Sequence, residues 1–219
     1  MQELLAAAFP IIVVGAAILI SITTHEFSHG LAAFLQGDTT ARDQGRLTLN
    51  PIAHIDPFGT LLLPLILFLV HAPIIGWARP VPFNPANLSN RRFGPLLVGL
   101  AGPLSNFCIF LVAGLVLKSI NGGLGADNYL MVFLSQLVII NLVLMLFNLI
   151  PIPPLDGSKV LFGLLPPRFE RLERTLEVYG PFILLGILFI EYTGFPFIGY
   201  AIHLSLSFFT RLLGLPLGY

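Results

Sequence analysis

The stretch FGTLLLPLILFLVHAPIIGW, residues 58–77, decides how this chain is threaded through a membrane. It has the length of a transmembrane helix, about 20 residues. It is also broken by Pro64, His71 and Pro73. Uninterrupted apolar runs of about 10–14 residues are more often buried or re-entrant than spanning. Whether 58–77 crosses or turns back sets the side on which every later segment emerges.

The rest of the chain leaves no doubt that a bilayer is involved. It has 219 residues, 56% hydrophobic and only 10% charged, with a mean hydropathy of +0.89. Soluble domains carry about 25% charged residues, so this is an integral membrane protein. Its formal net charge is zero, which offers nucleic acid nothing to bind. The single cysteine, Cys108, excludes an intramolecular disulfide and any Cys-rich metal site. Apolar spans are expected at roughly 4–36, 95–118, 129–149 and in a pair, 178–192 and 196–214, parted by the turn EYTGFPF. The N-terminus lacks a basic region and a small-residue cleavage site, so it reads as a retained helix.

Charge arbitrates the threading. If 58–77 spans, the two sides of the membrane hold 8 and 3 of the 11 basic residues. If it dips in and returns, residues 37–94, 150–177 and the C-terminal end share one side with 10 of the 11, leaving Lys118 opposite. Basic loops stay in the cytoplasm, so the second threading is favoured. The expected fold is an all-α integral membrane protein of five to six transmembrane helices, with 58–77 re-entrant, the N-terminus outside and the C-terminus inside. Among the cytoplasmic stretches, PPRFERLERTLEVYG (166–180) reads as an interfacial amphipathic helix. GWARPVPFNPANLSNRRFGP (76–95) is Pro- and Asn-rich and reads as extended strand or loop. TTARDQGRLTLNP (39–51) is a candidate β-hairpin.

The first span carries an anomaly, His25-Glu26-Phe27-Ser28-His29. On a helix, positions i and i+4 share a face. Two imidazoles so placed can ligate one zinc, with the intervening glutamate able to act on a water. Ionisable groups inside a span are costly and generally functional. A hydrolytic zinc site keeps three protein ligands and one open position. Candidates for the third are Asp38, Asp43, Asp56, Asp127, Asp156, a few glutamates, His54, His71 and His203. Asp156 stands out, in NLIPIPPLDGSKVL, a Pro-rich break just past the 129–149 helix, since non-helical backbone at membrane depth is tolerated where it lines a cavity. Its other reading is an N-cap for the helix that follows, and the two roles can coexist. For His25, His29 and Asp156 to meet on one side, an even number of spans must separate them. A re-entrant 58–77 gives two, and a spanning one gives three. The metal site and the charge count thus select the same threading.

HEFSH in a first apolar helix, AGPLSN (101–106) opening another and NLIPIPPLDG (148–157) closing a third resemble the site-2 protease family of intramembrane zinc metalloproteases. NPIAHIDPFGT (50–60) and GWARPVPFNP (76–85) resemble its small bacterial and archaeal branch, which lacks PDZ and CBS domains. The resemblance covers nearly the whole chain. It implies one membrane-embedded protease domain over 1–219, with a catalytic core of about 4–165 and a C-terminal helix pair at 178–214. It implies His25, His29 and Asp156 as Zn²⁺ ligands, Glu26 as the catalytic acid and base, and Asn148 as a polar group near the reacting carbonyl. The site would face the cytoplasm of a bacterial or archaeal plasma membrane and act on transmembrane protein substrates.

Other residues have two readings each. Asn148 is equally a helix C-cap. Asp56 before Pro57 is a good N-cap. His54 and Asp56 otherwise line a substrate path or add a metal contact. Gly102 and Pro103 read as close helix packing, and Asn106 as a hydrogen bond across that contact, a support for the site or a residue of the substrate path. An unwound substrate could pair with a strand edge in 39–51 or 76–88. Two other functions compete: a zinc transporter, and an inactive scaffold that binds membrane helices. The absence of a repeat disfavours the first, and the presence of Glu26 disfavours the second.

Overall fold

Lipid offers backbone groups no partners, so spanning segments must bond internally, and the long apolar runs among the described residues are helical. The computed structural model describes residues 2–71, 76–120 and 128–215, with side chains from residue 9 onward. Asp127 and residues 72–75 of the 58–77 stretch lie outside the described residues. The long helices are α1 (Gln2–Leu35), α4 (Gly94–Ile120), α5 (Tyr129–Asn148) and α7 (Glu170–Tyr192). Shorter ones are α2 (Thr40–Asp43), α3 (Leu63–Leu69), α6 (Asp156–Leu164) and α8 (Phe197–Leu213). Among the described residues, four segments are long and apolar enough to cross a membrane: Phe9–Leu35, Gly94–Ile120, Tyr129–Asn148 and Pro167–Tyr192. The chain is a multi-pass membrane protein. Its α8, with 17 residues, falls just short of that length.

The core lies between α1, α4 and α5. Phe110 and Leu117 of α4, Val138 and Leu142 of α5 and Ala17 of α1 are fully buried there. Glycines let α6 lie close against α4. A Cβ on Gly99 would lie 2.9 Å from that of Lys159, and one on Gly163 would lie 2.6 Å from Leu96. By contrast α7 stands apart, with only Gly180 buried among its residues, where a Cβ would meet the Pro153 carbonyl at 2.5 Å.

The two ends of the 58–77 stretch meet. Asp56 caps its start, its Oδ1 accepting from the amides of Phe58 (3.1 Å) and Gly59 (2.6 Å), with Pro57 at the first helical position. A π-helical turn, Pro57–Leu62, leads into α3. At the far end the Trp77 amide donates to the Gly59 carbonyl (3.1 Å), and the Thr60 hydroxyl donates to the Trp77 carbonyl (2.8 Å). Only a glycine permits this closure, because a Cβ at 59 would sit 2.3 Å from the Trp77 indole.

Three expectations need correction. No strand occurs among the described residues. The hairpin expected over 39–51 is replaced by α2 and turns, because Asp38 and Asp43 bond locally to Thr40 and Thr39 and wind the chain instead of extending it. Residues 76–84 are extended, as expected, but their amides bond to side chains and turn carbonyls and to no neighbouring strand. The amphipathic segment 166–180 is not a separate surface helix. From Glu170 it runs without a break through Gly180 and Pro181 into the apolar 182–192 stretch as α7.

Asp38 ties the end of α1 to the later loop. It is fully buried. Its carboxylate accepts from the Thr40 hydroxyl (2.5 Å), the Asn87 amide group (3.0 Å) and the Asn84 backbone N–H (2.7 Å). Burial pushes the Asp38 pKa up, but these donors outweigh it and hold the carboxyl below its ordinary value of 3.8. A depressed carboxyl stabilises the fold above its unfolded pKa and loses that contribution as pH falls through the folded one. Asp38→Ala is therefore expected to lower stability by about 1–3 kcal/mol at neutral pH. Thermal unfolding in detergent should show the gap to wild type closing as the pH falls below 3.8.

Candidate metal centre

Four residues per turn-and-a-bit bring His25 and His29 onto one face of α1, and the break after α5 carries Asp156 to meet them. The two imidazole Nε2 atoms are 3.0 Å apart. Asp156 Oδ2 lies 3.1 Å from that of His25 and 3.0 Å from that of His29. All three residues are buried. They form the only group of at least three His, Cys, Asp or Glu side chains among the described residues that could hold a metal ion. Asp156 does not act as an N-cap. It is the first residue of α6, Leu155 precedes it as the cap, and its carboxylate is turned to the histidines.

Hydrogen bonds fix what these atoms present to one another. His29 Nδ1 lies 2.6 Å from the Val98 carbonyl, which only accepts, so Nδ1 carries the proton. His25 Nδ1 lies 2.6 Å from Asn106 Oδ1. The Asn106 amide is oriented by its own donations to Asn141 Oδ1 (2.8 Å) and the Ser21 carbonyl (3.3 Å), so His25 Nδ1 is protonated too. With Nδ1 bonded to these carbonyl oxygens, each ring turns its Nε2 inward. A carboxylate oxygen faces both. Two imidazole nitrogens and one carboxylate oxygen converging at this spacing are the donor set of a metal site. Tetrahedral zinc with bonds of about 2.0–2.1 Å separates its ligand atoms by about 3.3 Å, close to the spacing found. Second-partner bonds to both imidazoles, as here, are the usual support of a metal-binding histidine.

Sequence reasoning assigned Asn106 a hydrogen bond across helices or a supporting role, and it has both. It missed the layer behind. Asn141, fully buried in α5, donates to the Ser21 hydroxyl (2.8 Å), and that hydroxyl donates to the Ala17 carbonyl (2.6 Å). Ser21 is one turn before His25, and Asn141 is an amide at the middle of an apolar span, so both left a signal. Lys159 was missed as well. Its Nζ donates to Asp156 Oδ1 (2.9 Å), one turn along α6, and leaves Oδ2 for the histidines. Gly102 proves to be more than a packing residue. A Cβ there would lie 2.5 Å from His29 Nε2 and 2.6 Å from His25 Cε1, so only a glycine lets α4 pass the imidazole pair.

Glu26 lies beside the cluster, half-buried. Its Oε2 accepts from the Val81 amide (2.9 Å), in the extended segment 76–84. Arg46 fastens that segment, donating to the carbonyls of Ala53, Arg79 and Pro80. The metal-ligand candidates, Glu26 and Asn148 all line one open cavity of about 450 Å³. Asn148 is the last residue of α5, and its Nδ2 donates back to the Leu144 carbonyl (3.0 Å). His54 is elsewhere. It is buried, its Nε2 donates to the Thr48 carbonyl (2.8 Å), and it lines a second cavity. Asp56 lines neither cavity and serves as the cap described above. His71 and His203 are exposed and outside the cluster.

Comparison with known proteins follows the same line. The model of "Peptidase family M50" matches residues 13–190. The chain is 38% identical over 186 residues to "Putative zinc metalloprotease YwhC" of Bacillus subtilis, covering 81% of this chain and 80% of that protein. It is 31% identical over 173 residues to "Putative zinc metalloprotease Rip2" of Mycolicibacterium smegmatis, covering 78% of this chain and 64% of the relative. The Rip2 protein of Mycobacterium tuberculosis is 30% identical over 171 residues, covering 76% of this chain and 62% of the relative. No solved structure shows significant similarity.

Proposed function

Because the chain belongs to peptidase family M50 and is a zinc metalloprotease, we propose that it is an intramembrane endopeptidase acting on transmembrane proteins near their cytoplasmic end. The observation that supports this most is the convergence of two imidazole nitrogens and a carboxylate oxygen within 3.0–3.1 Å, with Glu26 in the same cavity, on helices apolar enough to lie in a membrane. His25, His29 and Asp156 hold the zinc in this reading. Bound there, zinc acidifies water and polarises a carbonyl.

The chain's own groups supply the rest. Glu26 takes a proton from the attacking water and returns it to the leaving amine. Val81 holds one of its oxygens, Oε2, which leaves Oε1 to move the proton. Asn148 offers an amide donor to the developing oxyanion once it turns from the Leu144 carbonyl. Lys159 and the Asn106–Asn141–Ser21 chain position the ligands. A substrate helix must unwind to expose its peptide bond. The extended segment 76–84, which lines the cavity, is the edge along which the unwound stretch lies. The 39–51 stretch, wound into α2 and turns, does not serve.

The threading belongs to the same proposal. Residues 58–77 enter and return on one side, as the Gly59–Trp77 closure supports, and the catalytic cavity faces the cytoplasm of a bacterial or archaeal cell. The chain acts as a single protease domain. In proteoliposomes carrying a single-span substrate, cleavage is expected to stop on removal of zinc by a chelator and to return with stoichiometric zinc. Cleavage that persists in zinc-free enzyme contradicts the reading.

A further inference from the structure

A second cavity, of about 300 Å³, adjoins the catalytic one. The two share Ile22, Gly76, Trp77 and Ala78 in their walls. One stripe of α1 joins them. Ile18 lines the second cavity, Ile22 lines both, and Glu26 lines the first. These are positions i, i+4 and i+8, on a single helix face. At 1.5 Å per residue the second cavity lies about 6–12 Å from Glu26, toward the N-terminal, membrane-embedded part of α1. Its walls are mostly apolar and include Leu19, Ile55 and Pro64, which do not line the catalytic cavity. Trp77, in the walls of both, is seated on Gly59 and bonded to it.

From this continuity we infer that the second cavity is a specificity subsite for one bulky apolar side chain of the substrate, two to four residues from the scissile bond. An extended peptide advances about 3.3 Å per residue, so a side chain that far along reaches 6–12 Å from the reacting carbonyl. The volume is at the small end of ligand pockets, suited to one side chain and too small for a helix. Ala78 sets the access, because its small side chain stands where both cavities meet. Ile55 sets the depth. The residue selected comes from the part of the substrate still in the membrane, which matches the apolar lining.

This inference rests on the protease reading, and the test separates the two. Wild-type enzyme, loaded with zinc in proteoliposomes, is given a single-span substrate changed in turn to Ala, Leu, Phe, Trp and Asp at each of the four positions on either side of the cut. Products are read by mass spectrometry. Wild type is expected to favour Leu or Phe over Ala by roughly ten-fold or more in kcat/KM at one position two to four residues from the cut, the discrimination an apolar pocket gives. Ala78→Phe is expected to collapse that ratio to near one. Ile55→Ala, a milder change, is expected to shift the preference toward Trp, and zinc content reports that each variant is folded. Cleavage with a flat profile, or with the same profile in all three enzymes, overturns the subsite alone. No cleavage of any substrate by the wild type overturns the protease reading and the subsite with it.

Discussion

Glu26→Gln is expected to stop peptide cleavage while leaving the zinc in place. Glutamine keeps the shape of the side chain, and its Oε1 can still accept the Val81 amide, which holds Glu26 now at 2.9 Å. The extended segment 76–84 therefore stays where it is. His25, His29 and Asp156 are untouched. What is lost is a carboxylate able to take a proton from water and pass it on, since an amide does not titrate in this range. General acid–base catalysis contributes about 10²–10⁴-fold, and kcat should fall by that much. Zinc per protein, read by mass spectrometry of the purified variant, should match wild type. An active Glu26→Gln enzyme would remove the residue from the reaction.

Asp156→Ala is expected to fail in the opposite way, losing zinc first and activity as a consequence. Its Oδ2 completes the triangle with the two imidazoles at 3.1 and 3.0 Å. Without it two imidazoles remain, one short of the three protein ligands a catalytic zinc requires. Lys159, now bonded to Oδ1 at 2.9 Å, loses its partner as well. Its side chain is one-third exposed, so it can reach water, and the fold should survive. The expected result is zinc well below one per protein, cleavage at background, and a helical content unchanged by circular dichroism. Full zinc occupancy in this variant would mean that Asp156 is not a ligand.

The contrast between these two variants rests on features that differ in how far the sequence disclosed them. His25 and His29 were legible because the period of a helix fixes their face whatever surrounds it. Asp156 was legible because a carboxylate in a Pro-rich break at the end of a span has few other reasons to be there. Pro64, Pro73 and the charge count raised a re-entrant 58–77 as an expectation, but the bond between Gly59 and Trp77 was not legible. That depends on Gly59 making room for an indole eighteen positions later, a contact no local rule encodes. Asn141 and Ser21 were visible as polar residues in apolar helices, yet which amide faces which histidine is settled by how α1, α4 and α5 pack. The failed hairpin at 39–51 shows the converse. Its start is wound into a turn by the Thr39 and Thr40 hydroxyls, which donate to Asp43 and Asp38 and favour turns over an extended chain. The 166–180 stretch is helical from Glu170, but it runs on through Gly180, packed against Pro153, as part of α7 instead of ending as a separate helix.

The central claim is that a zinc site within the membrane cuts a membrane-embedded peptide bond. It is tested most directly by mapping the cut. A single-span substrate, reconstituted with wild-type enzyme in proteoliposomes and analysed by intact-mass spectrometry, should yield two fragments whose new ends lie inside the apolar span, near its cytoplasmic end. The Glu26→Gln enzyme should yield neither. New ends in the water-exposed part of the substrate, or identical fragments from both enzymes, would contradict the claim.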